Sequence, residues 1–201
     1  MTRPGGQLYL PDAAVKLANR YSFARVPSLD KLSEPTQTFG MGKFMNAQIE
    51  DLSIYNDGII INSRSDTDLL DAFLSDLLAW SDAELGLVQS IIAKPEKHYE
   101  SSLIIKSEID LPAVIKPALA VVDLFNKTWK NKFHVKYRLT SFHLDCDKFE
   151  ISSDRRKPYP FIVERRVGFP FEENVFYSAA PLPTKDHLDL LVRLEELARV
   201  A

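Results

Sequence analysis

His143, Asp145 and Asp147 are spaced two residues apart. On an extended strand that spacing puts all three side chains on one side. An imidazole and two carboxylates are ligand types that hold a divalent ion, and an ion so held can activate water for hydrolysis. Glu150 follows closely enough to offer a fourth group. The same alternation has a plainer cause. Leu144 and Cys146 fill the intervening positions, and a strand that turns those two inward exposes the polar trio whether or not a metal is bound. No second ligand-bearing motif completes the centre, so a metal-dependent hydrolase ranks third among the functional expectations.

A basic stretch ranks above it. Arg155, Arg156 and Lys157 stand beside Tyr159 and Phe161, with Arg165 and Arg166 close behind. Guanidinium groups contact phosphates and aromatic rings stack on unpaired bases, which suits a nucleic-acid-associated protein. Lys127, Lys130 and Lys132 would extend such a surface. The chain as a whole is acidic, with a sequence pI near 5.8 and a net charge of −3, whereas nucleic-acid modules are mostly basic.

Lys106, Glu108 and Asp110 present the Glu-x-Lys pairing of some metal-dependent nucleases in reversed order. Charge pairing across strands with Lys136 and Arg138 accounts for them more simply. His187 falls in the first turn of a helix, where protonation opposes the dipole. His98 and His134 have no site-like companions, and no serine sits in a Gly-x-Ser-x-Gly elbow. Gly40-Met41-Gly42-Lys43 is too short for a phosphate loop. Cys146 reads as a small core residue. These readings leave no catalytic residue and call for no cofactor.

Composition sets the frame. An apolar fraction of 45% with 26% charged residues suits a globular core. A lone cysteine forms no intrachain disulfide and points to a reducing, cytoplasmic setting. The first residues lack the pattern of a signal peptide, and no apolar run is long enough to span a membrane. Charge is segregated. Residues 27–126 carry 7 Lys/Arg against 16 Asp/Glu, while residues 127–166 carry 11 against 5. Blocks of opposite sign can steer a partner or a second copy.

The elements that must position these groups follow from periodicity. Ile49 to Ser63 reads as a β-hairpin turning at Asn56-Asp57-Gly58, with Gly58 expected at positive φ. Leu69, Leu70, Phe73, Leu74, Leu77 and Leu78 then line one face of a helix near 66–80. Strands are expected near 103–111, 133–146 and 161–167, the second with a bulge near Thr140. Helices are expected near 114–130, with Ala118, Val121, Val122, Phe125 and Trp129 inward, and near 185–199. Within residues 1–44, Pro11 and Asp12 open a short helical stretch with Val15, Leu17, Ala18 and Tyr21 as its apolar side, and residues 22–44 show little periodicity but hold Phe23, Leu29, Leu32 and Phe39, too apolar for a solvated linker. Residues 1–44 predict an N-terminal arm whose apolar residues dock on a neighbouring subunit. The expected class is α+β: a single domain over 45–201 in which one antiparallel sheet is covered by helices on one face, with the arm outside it. By elimination, the leading functional expectation is a non-enzymatic interaction or assembly protein, acting by self-association or as a complex subunit and not at a membrane.

Overall fold

A computed structural model describes residues 10–32, 34–86, 96–129, 136–150 and 157–200, without the side chains of Leu10, Leu29 and Glu150. Among the described residues the fold is α+β, with four α-helices and two antiparallel sheets. The chain divides into two compact units, residues 1–96 and 97–201. No helix among the described residues is long and apolar enough to cross a membrane.

In the first unit, β1 (Gln37–Phe44), β2 (Ala47–Ile54) and β3 (Ile59–Ser63) form a meander in that order, with α1 (Leu10–Arg20) and α2 (Thr67–Leu85) packed on it. α2 starts where the Asp66 carboxylate accepts the Leu69 N–H at 2.8 Å and stops at Gly86, whose φ of 62° suits glycine. Phe73 and Leu77 face the core as their spacing requires. A bulge between Ile49 and Asp51 shifts the period of β2, so that Ile49 and Leu52 are both buried. Tyr21 and Arg20 clamp α2 from the end of α1. The Tyr21 hydroxyl donates to Asp76 at 2.6 Å, and the Arg20 guanidinium pairs with the same carboxylate at 2.8 Å. Burial alone would raise the Asp76 carboxyl, but these hydrogen bonds outweigh it and hold the group below its ordinary range.

Residues 37–44 are β1, so the expected arm is instead largely built into this unit. Residues 21–25 run beside β1: Arg25 N–H donates to the Gly40 carbonyl at 3.0 Å, and Gly40 N–H returns to Arg25 at 2.9 Å. Gly40 and Gly42 make this approach possible. A Cβ on Gly40 would strike the Arg25 guanidinium, and one on Gly42 would strike the Phe23 ring. At the β2–β3 turn the opposite holds. Gly58 is not at positive φ, and a Cβ there meets nothing within 4 Å. Tyr55 N–H donates to the Gly58 carbonyl at 2.8 Å, and Asn56-Asp57 closes the hairpin without left-handed residues. Gly42→Ala is therefore expected to cost about 1–2 kcal/mol, whereas Gly58→Ala should be near neutral. Urea unfolding of the two variants side by side checks this, and equal losses would refute the crossing.

In the second unit, β4 (Ser101–Lys106), β5 (Ser141–Leu144), β6 (Phe161–Arg165) and β7 (Val175–Ala180) form a sheet of order β4-β7-β6-β5. α4 (Thr184–Val200) covers one face, where Leu191 and Leu194 meet Val163, Phe176 and Leu111. The expected single sheet is thus two: the 49–63 hairpin pairs with β1, not with the strand after residue 100. That strand stops at Lys106 rather than 111, because Ser107 Oγ and Glu108 N–H both turn onto the Glu195 carboxylate, at 2.9 and 3.0 Å. The strand expected over 133–146 is regular only across β5. Its first three positions lie outside the described residues. α3 (Lys116–Thr128) begins with proline in its first turn and buries no side chain, against the expectation that Val121 and Phe125 turn inward.

Candidate functional site

The metal trio does not converge. His143 lies on β5, across from Ile162 of β6, with its side chain exposed. The strand ends at Leu144, so Asp145 and Asp147 leave its alternation. Asp145 accepts from Lys157 Nζ at 2.6 Å, which holds its carboxyl below the ordinary range and raises Lys157 in turn. Asp147 caps the following 3-10 turn by accepting Phe149 N–H at 2.9 Å. Among the described residues no group of three His, Cys, Asp or Glu is placed to hold a metal ion. Cys146 is exposed, not a core residue.

The basic stretch is described only in part. Arg155 and Arg156 lie outside the described residues. Lys157 is paired with Asp145, as above. Arg165 has a side chain only 8% exposed, and its ion pair with Asp110 measures 2.9 Å. The pair is misaligned as a hydrogen bond, leaving Asp110 Oδ1 and Arg165 Nε without hydrogen-bond partners. The guanidinium is held instead by the Phe171 carbonyl at 2.8 Å and by the rings of Phe171 and Phe176, at 4.5 and 5.0 Å. It braces the 171–174 turn. Of the three that are described, Arg166 alone stands exposed without an ion pair among the described residues. A cleft of about 430 Å³ lies beside these residues, but Arg165 is committed to internal partners and Glu164 shares the lining. Nor do Glu108 and Asp110 pair with Lys136 and Arg138. Glu108 meets Arg199, Asp110 meets Arg165, and Arg138 meets Glu172.

Of the candidate interface residues, Phe23, Leu32 and Phe39 are buried within the first unit, where the Phe23 and Phe39 rings lie 5.5 Å apart. The side chain of Leu29 is outside the described residues. Phe23, Leu32 and Phe39 of the expected arm are accordingly spent on burial within the chain itself.

Two arrangements escaped the sequence reading. The first is buried. His187 of α4 is fully enclosed, with Nδ1 2.8 Å from Ser101 Oγ and Nε2 2.8 Å from Ser178 Oγ. Ser178 donates its proton to the Ile162 carbonyl at 2.9 Å, so its oxygen accepts from Nε2–H. Nδ1 then accepts from Ser101. Burial depresses the imidazole below its ordinary value and keeps it neutral. A serine beside a histidine suggests a nucleophile and base, yet both serines are buried with it and no substrate reaches them. The spacing His187, Leu191, Leu194 places the imidazole on the apolar stripe of α4, and that was the available signal.

The second lies open. Val121 and Leu124 of α3 are each 65% exposed, and Phe125 is 47% exposed. They fall at i, i+3 and i+4, on one helical stripe. Beside them Tyr137 is fixed to α3 by a two-way bond with Asn126: Asn126 Nδ2 donates to the Tyr137 carbonyl at 2.9 Å, and Tyr137 N–H donates to Asn126 Oδ1 at 2.8 Å. The Tyr137 ring meets Phe125 at 4.7 Å and Trp129 at 4.5 Å, edge on. The result is an aromatic cluster held in place but half open to water.

Compared with protein-family models, curated proteins and solved structures, the chain matches none.

Proposed function

We propose that this chain is a non-enzymatic interaction protein that binds another protein chain through α3. The observation that carries this reading is the exposed stripe of Val121, Leu124 and Phe125 beside the braced rings of Trp129 and Tyr137. Aromatic anchors whose positions are set beforehand lose little entropy on docking and supply large contact area, as binding hot spots do. The stripe has the i, i+3, i+4 form by which an amphipathic helix enters an apolar groove. The exposed polar groups support the same reading, because Asp145, Asp147, Glu108 and Arg138 serve turns, caps and internal pairs rather than a common point in space.

Leu124→Asp puts a charge at the centre of the stripe without touching a buried residue. It is expected to leave the melting temperature within about 2 °C, since exposed substitutions shift stability little. It should also abolish a partner that co-purifies with the wild-type chain at fixed stoichiometry. A photo-crosslinker at Val121 should then join that partner in the wild-type chain and not in the variant. A partner retained by Leu124→Asp at unchanged affinity would overturn the assignment to α3.

A further inference from the structure

β3 ends the first sheet with no strand on its outer side among the described residues. Among the described residues, no backbone hydrogen bond is made to its outer edge. The direction of its free groups follows from the hairpin. Tyr55 N–H donates to the Gly58 carbonyl, so these two residues form the first hydrogen-bonded pair of the ladder. Antiparallel ladders alternate. Ile60 and Asn62 therefore turn their amides and carbonyls toward β2, and Ile59, Ile61 and Ser63 turn theirs outward.

Natural sheet edges are blunted by proline, by charge, by a bulge or by a covering segment. The other edge of this sheet is covered, since residues 21–25 lie along β1. The sequence of β3, Ile-Ile-Ile-Asn-Ser, holds neither proline nor charge, and the bulge between Ile49 and Asp51 lies on its neighbour β2.

We infer that β3 is a self-pairing edge: two copies of the chain join β3 to β3, antiparallel, about a two-fold axis through Ile61, and double the sheet. The inference rests on reading the chain as an interaction protein and names one partner, a second copy. Three features select it. In this register the outward groups of Ile59 meet those of Ser63 in the second copy, and Ile61 meets its own counterpart, so every outward group finds a complement. On the helix side, Ile59 and Ile61 are partly buried against the core, and the second copy's Ile61 covers apolar area still open beside them. The flanking charges fix the direction. Asp57 precedes the strand and Arg64 follows it, both exposed. Antiparallel pairing sets Arg64 of one copy beside Asp57 of the other at both ends, whereas parallel pairing would stack like on like. Arg64 engages Glu50 through Nε, at 2.7 Å, which leaves its Nη groups for Asp57.

The test is light scattering and sedimentation of the full chain over a concentration series to the millimolar range. The wild type is expected to dimerise. Ile60→Lys, a charge on the solvated side of the edge, and Arg64→Glu should each weaken the dimer by about tenfold or more, because like or unmatched charges oppose strand pairing. Asp57→Lys together with Arg64→Glu should restore it. A dimer indifferent to Ile60→Lys, or one that the double reversal fails to restore, overturns the inference. A chain that is monomeric throughout also overturns it, but leaves α3 docking to its own test. A dimer broken by Leu124→Asp and untouched by Ile60→Lys would move self-association to α3 and remove it from β3.

Discussion

Replacing Phe73 by alanine is expected to lower the stability of the first unit by about 3–5 kcal/mol. The ring is fully enclosed, at the point where α2 meets the sheet. Tyr21 meets it edge on at 4.9 Å and Phe44 at 5.3 Å. Truncation removes its apolar area and also the surface on which those two rings are seated, and a cavity adds to the transfer loss because the neighbours collapse only in part. The effect should spread. Tyr21 carries the hydroxyl that binds Asp76, so a shifted Tyr21 ring weakens the clamp between α1 and α2. Urea unfolding followed by hydrogen exchange over residues 10–86 measures both parts. A loss below about 0.5 kcal/mol would mean that this face of α2 is not the core.

The elements of this chain were legible in its sequence wherever one period ran unbroken. α2, β3, β6 and α4 follow from spacing, because each buries a single face against a single layer; β2 was legible despite the bulge between Ile49 and Asp51, because Asn56-Asp57-Gly58 marks its hairpin. β1 was not legible, since its two glycines look like breaks; their purpose is visible only once Phe23 and Arg25 cross above them. The division into two sheets was also hidden. Alternation says that a strand is half buried but does not say which strand it pairs with, and the 49–63 hairpin fits either sheet equally well by pattern. Sites fared worse for a related reason. His143, Asp145 and Asp147 share a side only while the strand lasts, and it ends at Leu144. Arg165 reads as a surface cation in sequence, yet its partner Asp110 arrives from a distant turn. On α3 the face expected to turn inward, Ala118, Val121, Val122, Phe125 and Trp129, holds no buried side chain, because periodicity marks a face without saying what lies against it.

Acid is expected to destabilise the second unit through His187. The ring is sealed between β4 and β7, with Ser101 and Ser178 as its two partners and Phe161 of β6 edge on at 6.1 Å. These partners are neutral. The charged residues of the adjoining strands stand elsewhere: Lys106 and Glu164 are exposed, and Arg165 is engaged with Asp110. On α4 itself the flanking Lys185, Asp186 and Asp189 are exposed. An imidazolium here has hydrogen-bond partners but no counter-charge, which is why burial depresses its titration below the ordinary value of 6.5. The sign follows from proton uptake. Above about pH 6.5 the imidazole is neutral in both folded and unfolded chains, and stability is complete. Below it the unfolded chain takes up a proton that the folded chain refuses, so stability falls with pH, by up to about 1.4 kcal/mol per unit, until the folded ring also titrates. Urea unfolding of the second unit from pH 7.5 to 5 should show this slope, and His187→Gln, which carries no titrating proton, should flatten it. Were the slope unchanged in that variant, the acid sensitivity would belong to other groups, and the serine-held imidazole would be only a packing element.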